Sequence, residues 1–353
     1  MLVAKAGCQL LTRSYKIHKV ALRSLRATIY KSIMQPRACS PHSTIAPTPF
    51  RTFKMAAAST DSQVDSSIPG SLPGRRDMYD GLIIDPDTLP TGTTDFIDAL
   101  ASSVPAWQEA GFRGIWLKIP ISRAHYVGHA VDAGFEYHHA EPGYLMLTQW
   151  LPQSENKLPP NASHQVGVGA FVFDKETRRV LVVQEKNGPL KGKGVWKMPT
   201  GLVQAGEDIT EAAQREVEEE TGIKTKFHSV LAMRQAHGLA FGKSDMFFVV
   251  ALDPVHPASA QTIVPQEDEV EAAAWISLEE YTSVEFHLQR PLLKKIMEKC
   301  TAYAKGQYSG LGGYKLSSGF SERQDLLLFG EGTEEEVTLA AKEKNEDAWI
   351  GLS

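Results

Sequence analysis

Residues 208–222, DITEAAQREVEEETG, constrain this chain more than any other stretch. Asp208 followed three positions later by Glu211 has the form of a capping box. Gly222 suits the left-handed stop that closes a helix. Between them the spacing predicts a helix, on which successive residues turn by about 100°. Relative to Glu216, Glu219 then lies at about −60° and Glu220 at about +40°, while Glu218 points nearly opposite. Three carboxylates on one face repel unless a positive charge sits among them. Hard oxygen donors of this kind suit Mg²⁺ or Mn²⁺, which keep coordination positions for water and phosphate. An ordinary solvated acidic face is the other reading of REVEEE taken alone.

Charge is distributed unevenly. Residues 1–60 hold ten Lys/Arg and no Asp or Glu, whereas residues 61–353 hold 27 basic and 42 acidic groups, a net −15. Nucleic-acid binding leans on phosphate neutralisation, so an acidic body is a poor general partner for it. No apolar run is long enough to span a bilayer. The basic, Ser/Thr-rich segment 1–60 reads as a mitochondrial or chloroplast transit peptide, with a disordered basic tail as the plainer alternative. Met55 offers an internal start whose product would stay cytoplasmic. Cys8 and Cys39 fall in that segment, which leaves Cys300 alone and excludes an intrachain disulfide in the remainder.

The rest reads as two folded blocks of α+β class. Residues 61–76 look like a linker. In the block 77–152, residues 114–120 form a strand, residues 125–135 a helix closed near Gly134, and residues 135–150 a hairpin turning at Pro142-Gly143. Residues 153–163 form a second linker. The block 164–305 contains strands, the acidic helix and a terminal helix. An extension covers 306–330 and an acidic tail 331–353. His138 and His139 are adjacent on a strand, so their rings are expected on opposite faces and a shared ion is not.

The surroundings of the acidic helix decide its meaning. Residues 201–223 fit Gly-x5-Glu-x7-Arg-Glu-U-x-Glu-Glu-x-Gly-U, with U aliphatic, at Gly201, Glu207, Arg215, Glu216, Val217, Glu219, Glu220, Gly222 and Ile223. This resembles the signature of the Nudix hydrolases. The resemblance implies a mixed sheet between helices. It also implies cleavage of a nucleoside diphosphate linked to a second group. By position, Glu216, Glu219, Glu220 and the Gly201 carbonyl would hold metal. Glu219 or a later acid would help to activate water, Arg215 would orient the glutamates, and Glu207 and Gly222 would support the motif. Among the acids 267–271, Glu269 is the expected later carboxylate; a plain charged loop is the other reading. At the loop, Pro199-Thr200-Gly201 replaces the Pro-Gly-Gly of many members.

The segments GIWLKIP, HAVDAGFEYHHAEPGYLMLTQWLP, HQVGVGAFVF, VWKMPTG and RQAHGLAFGKSDMFFVV resemble the two-domain Nudix proteins that carry a pre-Nudix domain. That smaller α/β domain resembles acetyltransferases of the GNAT type. No acetyl-CoA phosphate loop is evident, so a packing or dimerising module is expected, with a homodimer as the implied assembly. Plant members of this subgroup act on ADP-ribose and NADH. Arg234, His237 and Phe241 are candidates to line the nucleotide pocket. Rival functions are a house-cleaning nucleoside triphosphatase, a capped-RNA hydrolase disfavoured by the acidic body, and a nucleotide sensor without turnover.

Overall fold

The computed structural model describes residues 64–65, 68–238, 240–317 and 324–330. The expected transit segment and acidic tail lie outside them. The chain divides into two compact units with a boundary at residue 163–164.

The first unit has one sheet of order β1-β2-β3-β4-β6-β5. Its strands are β1 (Val64–Asp65), β2 (Gly74–Arg76), β3 (Leu82–Ile84), β4 (Gly114–Pro120), β5 (Glu136–Glu141) and β6 (Tyr144–Trp150). Helix α1 (Thr93–Glu109) buries Phe96, Leu100, Ser103 and Trp107, a spacing of one helical face. Phe96, Leu100 and Trp107 pack with Ile84, Ile115, Leu117, Tyr126 and Leu147 into one core. Three expectations change here. Segment 61–76 is more than a linker: it supplies β1, β2 and the buried Leu72. The helix expected over 125–135 is a 3-10 turn (Ile121–Tyr126) followed by a short α2 (Val127–Asp132). The histidines do not diverge. A register shift between Tyr137 and His139 bulges β5, and the two Nδ1 atoms lie 2.7 Å apart. Residues 153–163 carry no regular structure, yet Leu158 packs on Gly114 and the Pro159 carbonyl meets His138 Nε2 at 2.9 Å.

The second unit is built on a mixed sheet of order β12-β8-β7-β11-β10-β13-β14, with β9 on β7. The strands are β7 (His164–Asp174), β8 (Arg179–Glu185), β9 (Thr200–Leu202), β10 (Thr225–Ala236), β11 (Ser244–Pro254), β12 (Val270–Ser277), β13 (Leu311–Ser317) and β14 (Gln324–Gly330). Among the described strands of this sheet, only β7–β11 is a parallel pair. Strand β7 lies centrally and is buried through most of its length, so GVGAFVFD is nearly all apolar. Helix α3 (Ile209–Thr221) sets Ala212, Ala213 and Val217 against Val168, Ala170, Val172 and Val250. A second cluster joins Phe171, Phe173, Val249 and Ala251 to Tyr281 of α4 (Leu278–Thr282) and to Met297, Cys300 and Tyr303 of α6 (Pro291–Ala304). Alternate residues of one strand thus feed two cores, the mark of a sheet covered on both faces. A short α5 (Glu285–Leu288) precedes α6. After residue 305, β13 and β14 pair antiparallel, and β13 joins the sheet where Leu311 meets Val230.

Candidate active site

Helix α3 begins at Asp208 with both halves of the capping box in place and ends at Gly222 with φ +73°. Lys315 of β13 reaches back to the same end, 2.8 Å from Asp208 and 2.5 Å from Glu211. The face that buries Ala212, Ala213 and Val217 also carries Glu216 and Glu220, which are only 1 % and 5 % exposed. Glu219 sits at the rim, its side chain 38 % exposed. The expected acidic face is present on the helix. Among the described residues, however, no three His, Cys, Asp or Glu side chains are gathered into a ready cage.

Arg215 organises what is gathered. Its Nε and Nη2 donate to the two oxygens of Glu207 at 2.6 and 2.9 Å. Its Nη1 donates to Glu216 Oε1 at 2.8 Å, and Nη2 also reaches the Leu202 carbonyl at 3.0 Å. Glu219 Oε2 lies 3.7 Å from Nη1. This is the fork geometry that a guanidinium offers and an ammonium does not. The bond to Glu207 raises the Arg215 pKa further, against the effect of burial. Burial pushes Glu207 upward, but the Arg215 bond and the Gln204 amide outweigh it and hold the carboxyl below its ordinary value.

The loop before the helix is held as closely. In β9, Gly201 pairs with Val168 and Thr200 with Gly169. A Cβ added to Gly201 would fall 1.8 to 2.2 Å from the carboxyl atoms of Glu216, so only glycine lets the strand and that carboxylate approach. On the other side, Glu185, Lys197 and Thr200 form a linked set. His287 Nε2 donates to the Trp196 carbonyl at 2.8 Å. Burial pushes the His287 pKa down, so the ring is held neutral there.

The acidic loop 264–269 bridges the end of α3 and the end of β8. Val264 N donates to the Thr221 carbonyl at 2.8 Å and Gln266 N to the Glu220 carbonyl at 3.2 Å. Opposite, Lys186 N donates to the Glu269 carbonyl at 3.0 Å, Lys186 Nζ to Glu267 O at 2.7 Å, and Asn187 Nδ2 to Asp268 O at 2.9 Å. Glu269 is therefore carried by a loop strapped directly to the carboxylate helix.

The three nucleotide-pocket candidates differ from one another. Arg234 is committed to the buried Asp245 and lies over the Phe247 ring at 5.4 Å. Burial raises the Asp245 pKa, against the pull of Arg234. Phe247 in turn packs on Gly167 and Gly169, and a Cβ on Gly167 would come 3.4 Å from the Gly201 carbonyl. His237 Nδ1 meets Ser244 Oγ at 2.8 Å. Phe241 is 81 % exposed at φ +51°. Sequence reasoning missed Lys197, Asp245, Phe247 and His287. A lysine beside a tryptophan in VWKMP, or a phenylalanine in FFVV, carries no local signal of its partner.

By chemistry these are hard oxygen donors of the kind a divalent cation takes, three carboxylates on one helix and a glycine whose missing side chain leaves one of them against the backbone, although among the described residues they are not drawn together around one point. A family model described as the NUDIX domain matches residues 163–300, and one described as the Nudix hydrolase domain matches residues 72–151. The chain is similar to Nudix hydrolase 2 of Arabidopsis thaliana, 41 % identical over 263 residues, which are 74 % of this chain and 92 % of that protein. Nudix hydrolase 8 of the same plant is 41 % identical over 72 % of this chain and 68 % of its own length. Nucleoside diphosphate-linked moiety X motif 6 of Mus musculus is 40 % identical over 63 % of this chain and 71 % of its own.

Proposed function

The chain belongs to the Nudix hydrolases, and we propose that within this family it is a Mg²⁺- or Mn²⁺-dependent diphosphatase of nucleoside diphosphate derivatives, with ADP-ribose and NADH as its substrates. Water would add across the diphosphate, so that ADP-ribose gives AMP and ribose 5-phosphate and NADH gives AMP and reduced nicotinamide mononucleotide.

The observation that carries this reading is the contact of Glu216 with Gly201 and Arg215. It holds a carboxylate, buried to all but 1 %, against a backbone with no side chain in the way. Glu216, Glu219, Glu220 and the Gly201 carbonyl would hold the ion. When bound, a divalent ion supplies positive charge to phosphoryl oxygens and acidifies water. The remaining work falls to the chain. Arg215, fixed by Glu207, keeps Glu216 in one orientation. Glu219, the least buried of the three, or Glu269 on its strapped loop, takes the proton from attacking water. The fixed Arg234–Phe247 pair and the exposed Phe241 offer flat surfaces to a base or nicotinamide ring.

A hydrolysis panel of ADP-ribose, NADH, NAD⁺, diadenosine polyphosphates and 8-oxo-dGTP, with each metal and with product masses recorded, tests the reading. AMP from ADP-ribose or NADH supports it. Turnover confined to triphosphates, or no turnover with either metal, overturns it.

A further inference from the structure

The loop that carries Gly201 also contains a buried cation, Lys197, whose side chain is 7 % exposed. Its ammonium lies 3.0 Å from Glu185 Oε1 and donates to Thr200 Oγ1 at 2.8 Å. Its backbone exchanges two hydrogen bonds with Val183, at 2.8 and 3.0 Å. Glu185 is the last residue of β8, and Thr200 is the first of β9 and the neighbour of Gly201. One side chain therefore ties the end of β8 to the strand that meets Glu216.

Fold stability is a poor reason for this pair. Two buried charges lose hydration, and apolar replacements of such pairs are often neutral or stabilising. The Glu185 carboxylate is also only half satisfied: among the described residues, its buried Oε2 has no hydrogen-bond partner. What the pair does secure is register. Met198 and Phe247 lie close against Gly169, and Glu216 fills the space beside Gly201, so the paired strands at 169 and 201 are closely packed on these faces. The Thr200 hydroxyl is the handle by which that packing is held. Glu185 cancels the ammonium charge, so the tie adds no net repulsion toward a cation nearby.

We propose that Lys197 is a positioning residue: by anchoring Thr200 to Glu185 it holds the Gly201 backbone against Glu216 and so sets affinity for the divalent ion. The inference rests on the diphosphatase reading given above, in which Gly201 and Glu216 share that ion.

The test uses the full chain and three variants, Lys197→Met, Lys197→Arg and Thr200→Val. Mn²⁺ binding is followed by the resonance of the free ion, and thermal unfolding is recorded without metal. Loss of a group that orients a ligand costs roughly 10-fold or more in metal affinity. Lys197→Met should lose about that much; because it also strips Glu185 of its buried partner, metal-free unfolding should fall to a lower temperature, and Mn²⁺ affinity is therefore measured where the variant remains folded. Thr200→Val should move the same way by less, and Lys197→Arg should recover most of the affinity. Unchanged Mn²⁺ affinity in Lys197→Met, with or without a lower unfolding temperature, overturns the proposal. Should Lys197→Met not fold, Thr200→Val decides, because it exchanges only the hydroxyl for a methyl and leaves the Lys197–Glu185 pair in place. If the wild type neither binds Mn²⁺ nor hydrolyses the panel, the diphosphatase reading has failed. If it does both and the variants match it, only the positioning role has.

Discussion

The carboxyl carbon of Glu216 lies 1.8 Å from the point where a Cβ on Gly201 would sit. No side chain fits there without moving the glutamate or the strand. Gly201→Ala is therefore expected to displace Glu216 rather than merely crowd it. A misplacement of about 1 Å in such a site costs roughly 100-fold in rate. Steady-state kinetics of the variant should show that loss, while circular dichroism stays at the wild-type signal. Near wild-type turnover would mean that the contact is unimportant to catalysis.

Arg215 satisfies Glu207 through two bonds and Glu216 through a third. A lysine cannot reproduce that fork. Arg215→Lys should leave part of the Glu207–Glu216 set unpaired, and breaking a pair that is largely buried costs on the order of 3 kcal/mol. Denaturant unfolding measures that cost. Activity should fall by two orders of magnitude or more, about 2.7 kcal/mol in transition-state terms.

Glu219 offers the cleanest separation of chemistry from folding. It is more than a third exposed, and its carboxylate lies 3.7 Å from the Arg215 guanidinium. Glu219→Gln should change unfolding free energy by no more than about 0.5 kcal/mol, as surface substitutions do. Removal of a proton acceptor or ligand should lower kcat by roughly 100- to 10,000-fold. Full activity in this variant would sink the role assigned to Glu219.

His287 predicts a pH dependence of stability. Burial holds its folded pKa below the ordinary 6.5, despite the bond to the Trp196 carbonyl, and Arg290 adds to the depression. Well above pH 6.5 the ring is neutral in both states, so its contribution is complete. As pH falls below that value the unfolded chain takes up the proton first, and stability declines until the folded pKa is passed. Wild-type protein should lose unfolding free energy as pH falls through the ordinary histidine value of 6.5, and His287→Gln should lose less. Parallel pH profiles for the two proteins would remove His287 as the cause.

Helix α3 was legible because every local signal agreed: the Asp208–Glu211 box, the Gly222 stop and carboxylates at helical spacing. Strand β4 was legible as a short apolar run between turns. The histidine pair was not. Period-two alternation puts His138 and His139 on opposite faces, and a single bulged residue, with no marker of its own in EYHHAEP, brings them to 2.7 Å. Nor were the supports of the Gly201 loop. Lys197 finds Glu185 across 12 positions, His287 finds Trp196 across 91 and Lys315 finds Glu211 across 104. Such pairs are products of sheet order, which one sequence does not display. The short strands β1 and β2 fell below the length at which alternation can be counted.

Phe241 supplies the prediction that bears on substrate. An aromatic ring 81 % exposed, on a residue in the left-handed region, contributes little buried area to the fold. Phe241→Ala should therefore leave thermal unfolding unchanged, and the relief of a left-handed φ is no greater for alanine than for phenylalanine. Stacking of a base on an aromatic side chain is worth about 1 to 3 kcal/mol. If Phe241 supplies such a platform, KM for ADP-ribose and NADH should rise by roughly 10-fold, the equivalent of 1.4 kcal/mol, with kcat retained. The retained kcat matters, because a ring that binds ground and transition states alike changes only the former constant. A fall in kcat at constant KM would instead place Phe241 among the groups that arrange the reacting diphosphate, and no change in either would leave Arg234 and Phe247 as the surface on which the ring lies.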